Sequence, residues 1–210
     1  MIITEISNCK KNKNRVNVFV DGTFAFALYL ETAVQYSLKK DMDITALDLK
    51  KIAEDDEKKY SMDVAFKFIS YRMRSENEVY KKLKQKGVSE GSAEETIKRL
   101  EELGYLNDRV YAETYAAELK ERMGNRGIMR KFFEKGIDKE LAEEVLQGVG
   151  DFSKSAAVQA EKLFEKYKDL DGKQAREKVF RTLMSRGFEI GDIRRAIKEC
   201  GANENKYEEI

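Results

Sequence analysis

Proline, tryptophan and histidine are absent from this chain of 210 residues, and cysteine occurs only twice. Because proline is the strongest interrupter of helices, its absence beside abundant Lys, Glu, Ala and Leu predicts a helix-rich protein. The missing histidine excludes serine and cysteine triads, most transition-metal sites and the usual general base near neutral pH. We therefore predict a protein that works by binding, has no enzymatic activity and needs no cofactor.

Long apolar segments are missing as well. No stretch approaches the ~20 apolar residues needed to cross a bilayer, and Met1 to Lys10 lacks the pattern of a signal peptide. We therefore expect a cytoplasmic protein, with no membrane partner, whose Cys9 and Cys200 remain thiols. The net charge of +1 argues against binding of polyanions through overall charge, although 38% of the residues are charged.

The first sixty residues differ in pattern from the rest. Two period-two runs, Val16–Val20 and Phe24–Leu28, flank Asp21-Gly22 and predict a β-hairpin, because this dipeptide tolerates the positive φ of a type I′ turn. A third strand is predicted at Ile2–Ser7, and two short helices are predicted at Glu31–Ser37 and Leu47–Ala53. The acidic run Glu54–Glu57 is interpreted as a solvated linker, since it lacks the spaced ligands and the glycine of an EF-hand loop.

From residue 61 onward the sequence repeats. Segments aligned on Gly87, Gly136 and Gly187 have apolar residues eight and four positions before each glycine, immediately after it, and six and ten positions after it. This pattern predicts a helix that ends at a glycine in the left-handed conformation, followed by another helix. A further amphipathic stretch precedes each pair, so each unit has three helices.

The predicted architecture is mainly α, with three tandem three-helix repeats that form an elongated, curved solenoid. A small extension with a β-hairpin and short helices precedes the repeats. The predicted segments are 1–60 for the extension, 61–108, 109–150 and 151–202 for the repeats, and 203–210 for a polar tail.

Charge is segregated within the repeats. The middle helices are basic, whereas the third helices are acidic in the first two repeats and neutral in the third. Stacked middle helices would present a positive stripe to a phosphate backbone or to an acidic protein groove. The alternative is that these lysine-rich helices are solvated surfaces balanced by nearby acids. The candidate binding residues are Lys81, Lys82, Lys84, Lys86, Arg126, Arg130, Lys131, Lys135, Arg176, Lys178, Arg181 and Arg186. Helical spacing cannot place all of them on one face.

Aromatic residues supply a second possible contact surface. Exposed rings would stack on bases, but most of these side chains fall on apolar helical faces, so core packing is the favoured interpretation. The residues concerned are Tyr71, Tyr105, Tyr111, Tyr115, Phe132 and Phe133.

Several motifs resemble those of the RecX regulatory proteins. The segment from Val79 to Gly87 is similar to the family's helix ending in L-x-x-K-G, and Leu100 to Asp108, followed by Tyr111-Ala112, resembles its L-x-x-x-G-Y-L-[ND]-D signature. Gly127 and Lys135-Gly136-Ile137 match the second repeat, and the third repeat is more diverged. The hairpin sequence V-D-G-x-F-A-F, from Val20 to Phe26, resembles the extension of the longer, Firmicutes-like members.

The resemblance implies a modulator of the RecA recombinase, usually an inhibitor, in recombination, DNA repair and the SOS response. Family members lie in the groove of the RecA filament on single-stranded DNA, where they depress ATP hydrolysis and strand exchange. We expect a monomer whose partners are the RecA filament and single-stranded DNA. The alternative function is a nucleic-acid-binding helical repeat that needs no protein partner.

Overall fold

The computed structural model describes residues 1–10 and 12–204, with side chains described as far as residue 200. The chain divides into two compact units. The first contains residues 1–72 and 79–105, and the second contains residues 73–78 and those from 106 onward. The elements in chain order are β1 (Ile3–Asn8), β2 (Arg15–Val20), β3 (Thr23–Tyr29), α1 (Leu30–Gln35), α2 (Ala46–Ile69), α3 (Glu76–Gln85), α4 (Glu90–Glu102), α5 (Asp108–Lys120), α6 (Asn125–Lys135), α7 (Lys139–Val149), α8 (Ser153–Lys166), α9 (Gly172–Ser185) and α10 (Ile190–Glu204).

The three strands form an antiparallel sheet in the order β1-β2-β3. Asp21 and Gly22 join β2 to β3 with φ values of 47° and 79°, as a type I′ turn requires. Alternate valines of β2 are buried in one core with Leu28 of β3 and Ile52 of α2. The predicted hairpin, third strand and first short helix are confirmed.

The predicted second short helix and acidic linker are wrong, because residues 46–69 form the single helix α2. No glycine or proline interrupts the segment, and each of the four acids 54–57 has a polar partner. The buried carboxylate of Asp56 accepts hydrogen bonds from the Tyr29 N–H (2.7 Å) and the Thr32 hydroxyl (2.9 Å), and it pairs with Arg15 at 3.1 Å. The predicted boundary between residues 60 and 61 therefore lies inside a helix.

Four of the five apolar positions that define the repeat are buried in all three copies, and the fifth, ten residues after the glycine, is buried only at Leu146 and half-buried at Ile97 and Ile197. The middle helices are α3, α6 and α9, and α4, α7 and α10 follow them. The side chains eight and four positions before the glycine, and one and six after it, are at most 2% exposed in every repeat. They are Val79, Leu83, Val88, Ala93, Ile128, Phe132, Ile137, Ala142, Val179, Leu183, Phe188 and Ile193.

Each middle helix ends at its repeat glycine in the same way. The φ values of Gly87, Gly136 and Gly187 are 80°, 74° and 81°, which confirms the predicted left-handed conformation. The glycine N–H donates to the carbonyl three residues earlier, and the next N–H donates to the carbonyl five residues earlier. This is the Schellman motif, which satisfies carbonyl groups that the helix end leaves without partners.

Two matching contacts inside the second unit join the start of one middle helix to the end of the next. At the first, the Ser75 hydroxyl donates to the Lys135 carbonyl (2.7 Å), and Asn77 lies against Gly136. At the second, the Gly124 N–H donates to the Arg186 carbonyl (3.1 Å). At both of these contacts, the repeat glycine admits the start of another middle helix.

The structure confirms a mainly helical protein with a small N-terminal sheet. The elongated, curved arrangement and the limits of the repeats stay predictions. The predicted tail at residues 203–210 lies outside the described residues from residue 205 on. Among the helices of the described segments, none is both long and apolar enough to span a bilayer.

Candidate functional site

One position on the middle helices carries an exposed cation in every repeat. It lies six residues before the repeat glycine and is occupied by Lys81, Arg130 and Arg181. The buried positions lie eight and four residues before the glycine, so position six is turned about 200° from both and faces away from the core. The helical period therefore places these cations outward.

Five of the twelve candidate cations are exposed and have no ion pair with the described residues. The side chains of Lys81, Lys86, Arg126, Arg176 and Lys178 are exposed, and none forms an ion pair with another of the described residues. Lys178 also lies near an aromatic ring, with its Nζ 5.6 Å from the Tyr167 centroid. The positive charges of these residues are therefore accessible to an anionic partner.

The cation immediately before the repeat glycine is a structural residue in the second and third repeats. The ammonium of Lys135 binds Glu78 at 2.8 Å, and these side chains are only 23% and 16% exposed. The guanidinium of Arg186 donates to the buried amide of Gln159. Lys135 and Arg186 therefore hold elements of the second unit together, and the prediction that they bind a partner stays untested.

Other candidates have weaker engagements at the surface. Lys131 binds Glu134 at 2.6 Å, and this hydrogen bond lowers the pKa of the Glu134 carboxyl. The half-buried Lys82 has its Nζ 5.6 Å from the ring of Phe68. Arg130 donates to the last carbonyl of α9, that of Ser185, at 2.9 Å. These contacts leave the cations accessible but restrict the conformations of their side chains.

Two further candidates lie near single carboxylates. Arg181 pairs with Glu177 at 3.0 Å one helical turn away, in a pair whose members are both exposed. Lys84 lies near Glu57, which accepts hydrogen bonds from Ser89 and Ser92 at the start of α4. Burial raises the pKa of Glu57, but these hydrogen bonds and the nearby Lys84 lower it by more.

Sequence reasoning missed two cations on α10. Arg194 and Lys198 line a hollow of about 550 Å³ together with Arg176, and Phe180 lies on the same wall. Their spacing of four residues, which puts them on one helical face, is the signal that could have found them. The net charge of this helix is neutral in the sequence, and a net charge gives no indication that the cations share one face.

The expectation that the aromatic candidates lie mostly in the core is only half right. Tyr111 and Phe132 are buried, whereas Tyr71, Tyr105 and Phe133 are 74%, 59% and 53% exposed. The rings of Tyr105 and Phe66 form a T-shaped contact, with centroids 5.1 Å apart. These exposed rings provide apolar contact surface outside the basic helices.

Three family models match this chain. The Regulatory protein RecX N-terminal domain matches residues 1–45, the first three-helix domain of RecX matches 62–100, and the third three-helix domain of RecX matches 153–197. The two repeat models align with the segments built around α3 and α9.

Curated relatives extend the similarity along most of the chain. It is 35% identical to the Regulatory protein RecX of Bacillus subtilis and 34% identical to that of Bacillus licheniformis, over 94% of this chain and 76% of each relative. The RecX of Listeria monocytogenes serovar 1/2a is 31% identical over 90% of this chain and 71% of the relative.

Solved structures agree in fold. A crystal structure of regulatory protein RecX superposes with a TM-score of 0.67 at 26% identity, covering 94% of this chain and 98% of that chain. The crystal structure of RecX from Lactobacillus salivarius gives a TM-score of 0.62 at 28% identity, covering 70% of this chain and 99% of that one.

Proposed function

Because this chain belongs to the family of RecX regulatory proteins, we propose that it modulates the RecA recombinase without any catalytic activity of its own. It binds in the groove of the RecA filament on single-stranded DNA, and it depresses ATP hydrolysis and strand exchange. Its place of action is the cytoplasm, where it serves recombination and DNA repair as a monomer.

The observation that carries this proposal is the exposed cation six residues before each repeat glycine. A filament of RecA on DNA repeats the same surface along its axis, and a protein with repeated cations can meet equivalent acidic or phosphate groups on successive subunits. Lys81, Arg130 and Arg181 supply one such cation in each repeat. Association through several exposed charges is steered by long-range attraction and weakens with salt.

Single substitutions are a poor test of this mode of binding. Each exposed charge contributes about 0.2–1 kcal/mol, so one reversal changes affinity only a few-fold. The experiment therefore reverses five outward cations together, all to glutamate. The set omits residues with structural hydrogen bonds and comprises Lys81, Arg126, Arg176, Lys178 and Arg181.

The assay is RecA-dependent ATP hydrolysis on single-stranded DNA, titrated with each variant. We expect the five-fold reversal to abolish most of the inhibition and to leave the circular dichroism spectrum unchanged, because the altered residues lie outside the cores. A control with the same change in net charge reverses exposed lysines outside the middle helices, and it should inhibit like the unaltered protein. The control residues are Lys10, Lys13, Lys39, Lys40 and Lys67. Equal inhibition by both variants would refute the proposal.

A second candidate function is direct binding of nucleic acid without a protein partner. The hollow around Arg176, Arg194 and Lys198 supports it, because cations beside an aromatic ring are typical of single-strand binding. Binding to labelled single-stranded DNA alone, compared with binding to a RecA filament formed on the same DNA, separates the two functions. Much tighter binding to the filament supports the filament modulator, whereas equal or weaker binding to the filament supports the direct binder.

A further inference from the structure

The outer edge of the N-terminal sheet, formed by β3, has main-chain groups that do not pair with β2. The Leu30 N–H donates to the carbonyl of Asn14, which precedes β2. Because bonded and non-bonded pairs alternate between antiparallel strands, the main-chain groups of Ala27 and Tyr29 point away from β2. The strand register passes over Ala25, a bulge residue whose main-chain groups are left outside the ladder.

Side chains from β2 and α2 cover one end of this edge. The guanidinium of Arg15 donates to the Ala27 carbonyl at 2.5 Å, and the carboxylate of Asp56 accepts from the Tyr29 N–H at 2.7 Å. The groups that remain are those of Ala25 and the N–H of Ala27, and residues 23–25 are exposed. Residues 23–27 are here called the open edge.

The open edge carries no charge and no proline, the residues with which soluble proteins usually protect an edge strand from pairing. The opposite edge of the sheet differs. There β1 contains Glu5, and the segment that includes Met42 covers its first residues, since the Ile3 N–H donates to the Met42 carbonyl at 3.0 Å. The contrast indicates that β3 is the edge available to a further strand.

A cleft of about 220 Å³ lies beside the open edge, between residues 26–28 of β3 and the face of α2 that carries Ala53, Glu57 and Tyr60. A cavity of about 150 Å³ holds a benzene ring, so the cleft has room for one apolar side chain. The exposed ring of Phe24 adds apolar surface at the other end of the open edge.

The polar groups of the cleft favour an uncharged hydrogen-bond acceptor. The Nε of Arg15 is buried and has no acceptor among the residues that the structure describes, whereas buried donors are normally satisfied. The charge of Arg15 is already balanced by Asp56 at 3.1 Å, and Glu57 adds a second carboxylate. A phosphate or an acidic side chain would be repelled by this negative excess, but a main-chain carbonyl would not.

We propose that the open edge binds an extended segment of a protein partner by strand addition. The main chain of the segment pairs with Ala25 and Ala27, one of its carbonyls accepts from the Nε of Arg15, and an apolar side chain enters the cleft beside Tyr60. Because side chains at every second position of a strand share one face, the segment has apolar residues at alternate positions. The inference goes beyond the proposed function, since it involves neither DNA nor the basic middle helices.

The test selects binders to the full chain from a phage-displayed library of random short peptides, and it measures the affinity of a selected, fluorescein-labelled peptide by anisotropy. We expect selected sequences without proline and with apolar residues at alternate positions. Ala27→Pro removes an N–H that makes no ladder bond, so it should preserve the circular dichroism spectrum and weaken binding at least about fivefold, as for one lost main-chain hydrogen bond. Ala53→Leu should also weaken binding, because it fills the cleft from α2.

The matched control is Asn8→Pro on the opposite edge strand. The Cys9 N–H donates to the Arg15 carbonyl, so the N–H of Asn8 points away from β2, and its loss should leave peptide binding unchanged. Equal weakening by Asn8→Pro and Ala27→Pro would overturn the proposal. So would a library that yields no binder, or binders unaffected by both Ala27→Pro and Ala53→Leu.

Methylated peptides test the hydrogen bonding without any change to the protein. Methylation of alternate main-chain nitrogens should abolish binding in one register and leave it intact in the other, because only every second N–H faces β3. Equal effects in both registers would contradict strand addition. Sedimentation of the unaltered chain as a dimer that Ala27→Pro dissociates would also overturn the proposal, since the occupant would then be a second copy. The RecA hydrolysis assay of Ala27→Pro, which retains every basic residue, reports separately on the proposed function.

Discussion

Replacement of the repeat glycines by alanine should destabilise the protein to different extents. All three glycines have positive φ, and alanine in that conformation costs about 1–2 kcal/mol. At Gly87 an added Cβ would meet nothing within 4 Å, so Gly87→Ala should cost only this amount.

The cost at the other two glycines includes a steric clash. A Cβ on Gly187 would lie 2.0 Å from the backbone nitrogen of Gly127. Relief of this clash separates the helix ends and breaks two backbone hydrogen bonds, from Gly124 to Arg186 and from Arg126 to Gly187. At about 1 kcal/mol for each bond, the total for Gly187→Ala is about 3–4 kcal/mol.

Gly136→Ala should also cost more than Gly87→Ala. Its Cβ would lie 2.0 Å from the amide nitrogen of the Asn77 side chain and 2.5 Å from the Asn77 Cβ. Rotation of the side chain moves the amide but not the Cβ, so the start of α3 must shift, and the Asn77 hydrogen bond to the Lys135 carbonyl at 3.2 Å is lost. With about 1 kcal/mol for that bond, we expect a loss of at least about 2–3 kcal/mol.

Urea unfolding followed by far-ultraviolet circular dichroism measures these differences. Gly148→Ala is the control, because Gly148 is helical and its added Cβ would meet nothing within 4 Å. This variant should be as stable as the original protein or gain up to about 1 kcal/mol. A loss at Gly187 equal to that at Gly87 would refute the close approach of consecutive repeats, whatever the sign of φ.

Three further predictions concern polar contacts. Asp56→Asn should destabilise the first unit by about 2 kcal/mol in thermal unfolding, because it leaves the guanidinium of Arg15 beside a neutral group. Burial raises the pKa of Glu57, but hydrogen bonds lower it by more. The ionised carboxylate therefore stabilises the fold above its ordinary pKa of 4.5, and this stabilisation is lost as pH falls through the depressed pKa. Glu57→Gln should therefore reduce the difference between the unfolding midpoints measured at pH 7 and at pH 3.5. Lys135→Met should lower stability by about 1–2 kcal/mol in urea unfolding through the loss of its pair with Glu78, with little effect on RecA-dependent hydrolysis.

Local patterns were sufficient to predict the sheet and the repeats. The Asp21-Gly22 turn and the apolar spacing around Gly87 are signals carried within about ten residues, and backbone geometry converts them directly into a hairpin and a helix end. The helical conformation of the acidic run 54–57 also has a local signal. The absence of glycine and proline around this run is more informative than its polarity.

The engagement of each cation could not be predicted from local sequence. Lys135 pairs with Glu78, which is 57 residues away, and Arg186 binds Gln159 across 27 residues. A count of charges within one helix contains no information on such partners.

Recurrence of a cation has different causes at two positions of the repeat. The residue before the repeat glycine, as at Lys86, stands at a helix C-terminus, where a positive charge is stabilised by the helix dipole. Its recurrence is therefore explained by helix stability alone.

Position six before the glycine lies in the middle of the helix on its outer face, and Lys81 and Arg181 there touch neither the core nor the helix end. An exposed pair such as Arg181 with Glu177 contributes too little to require a cation at this position in every repeat. Under the proposed function, contact with a repeating anionic partner accounts for Lys81 and Arg181, whereas Arg130 also donates to the last carbonyl of α9. Reversal of Lys81 and Arg181 is therefore expected to report on binding, and reversal of the cation before the glycine is expected to report on the fold.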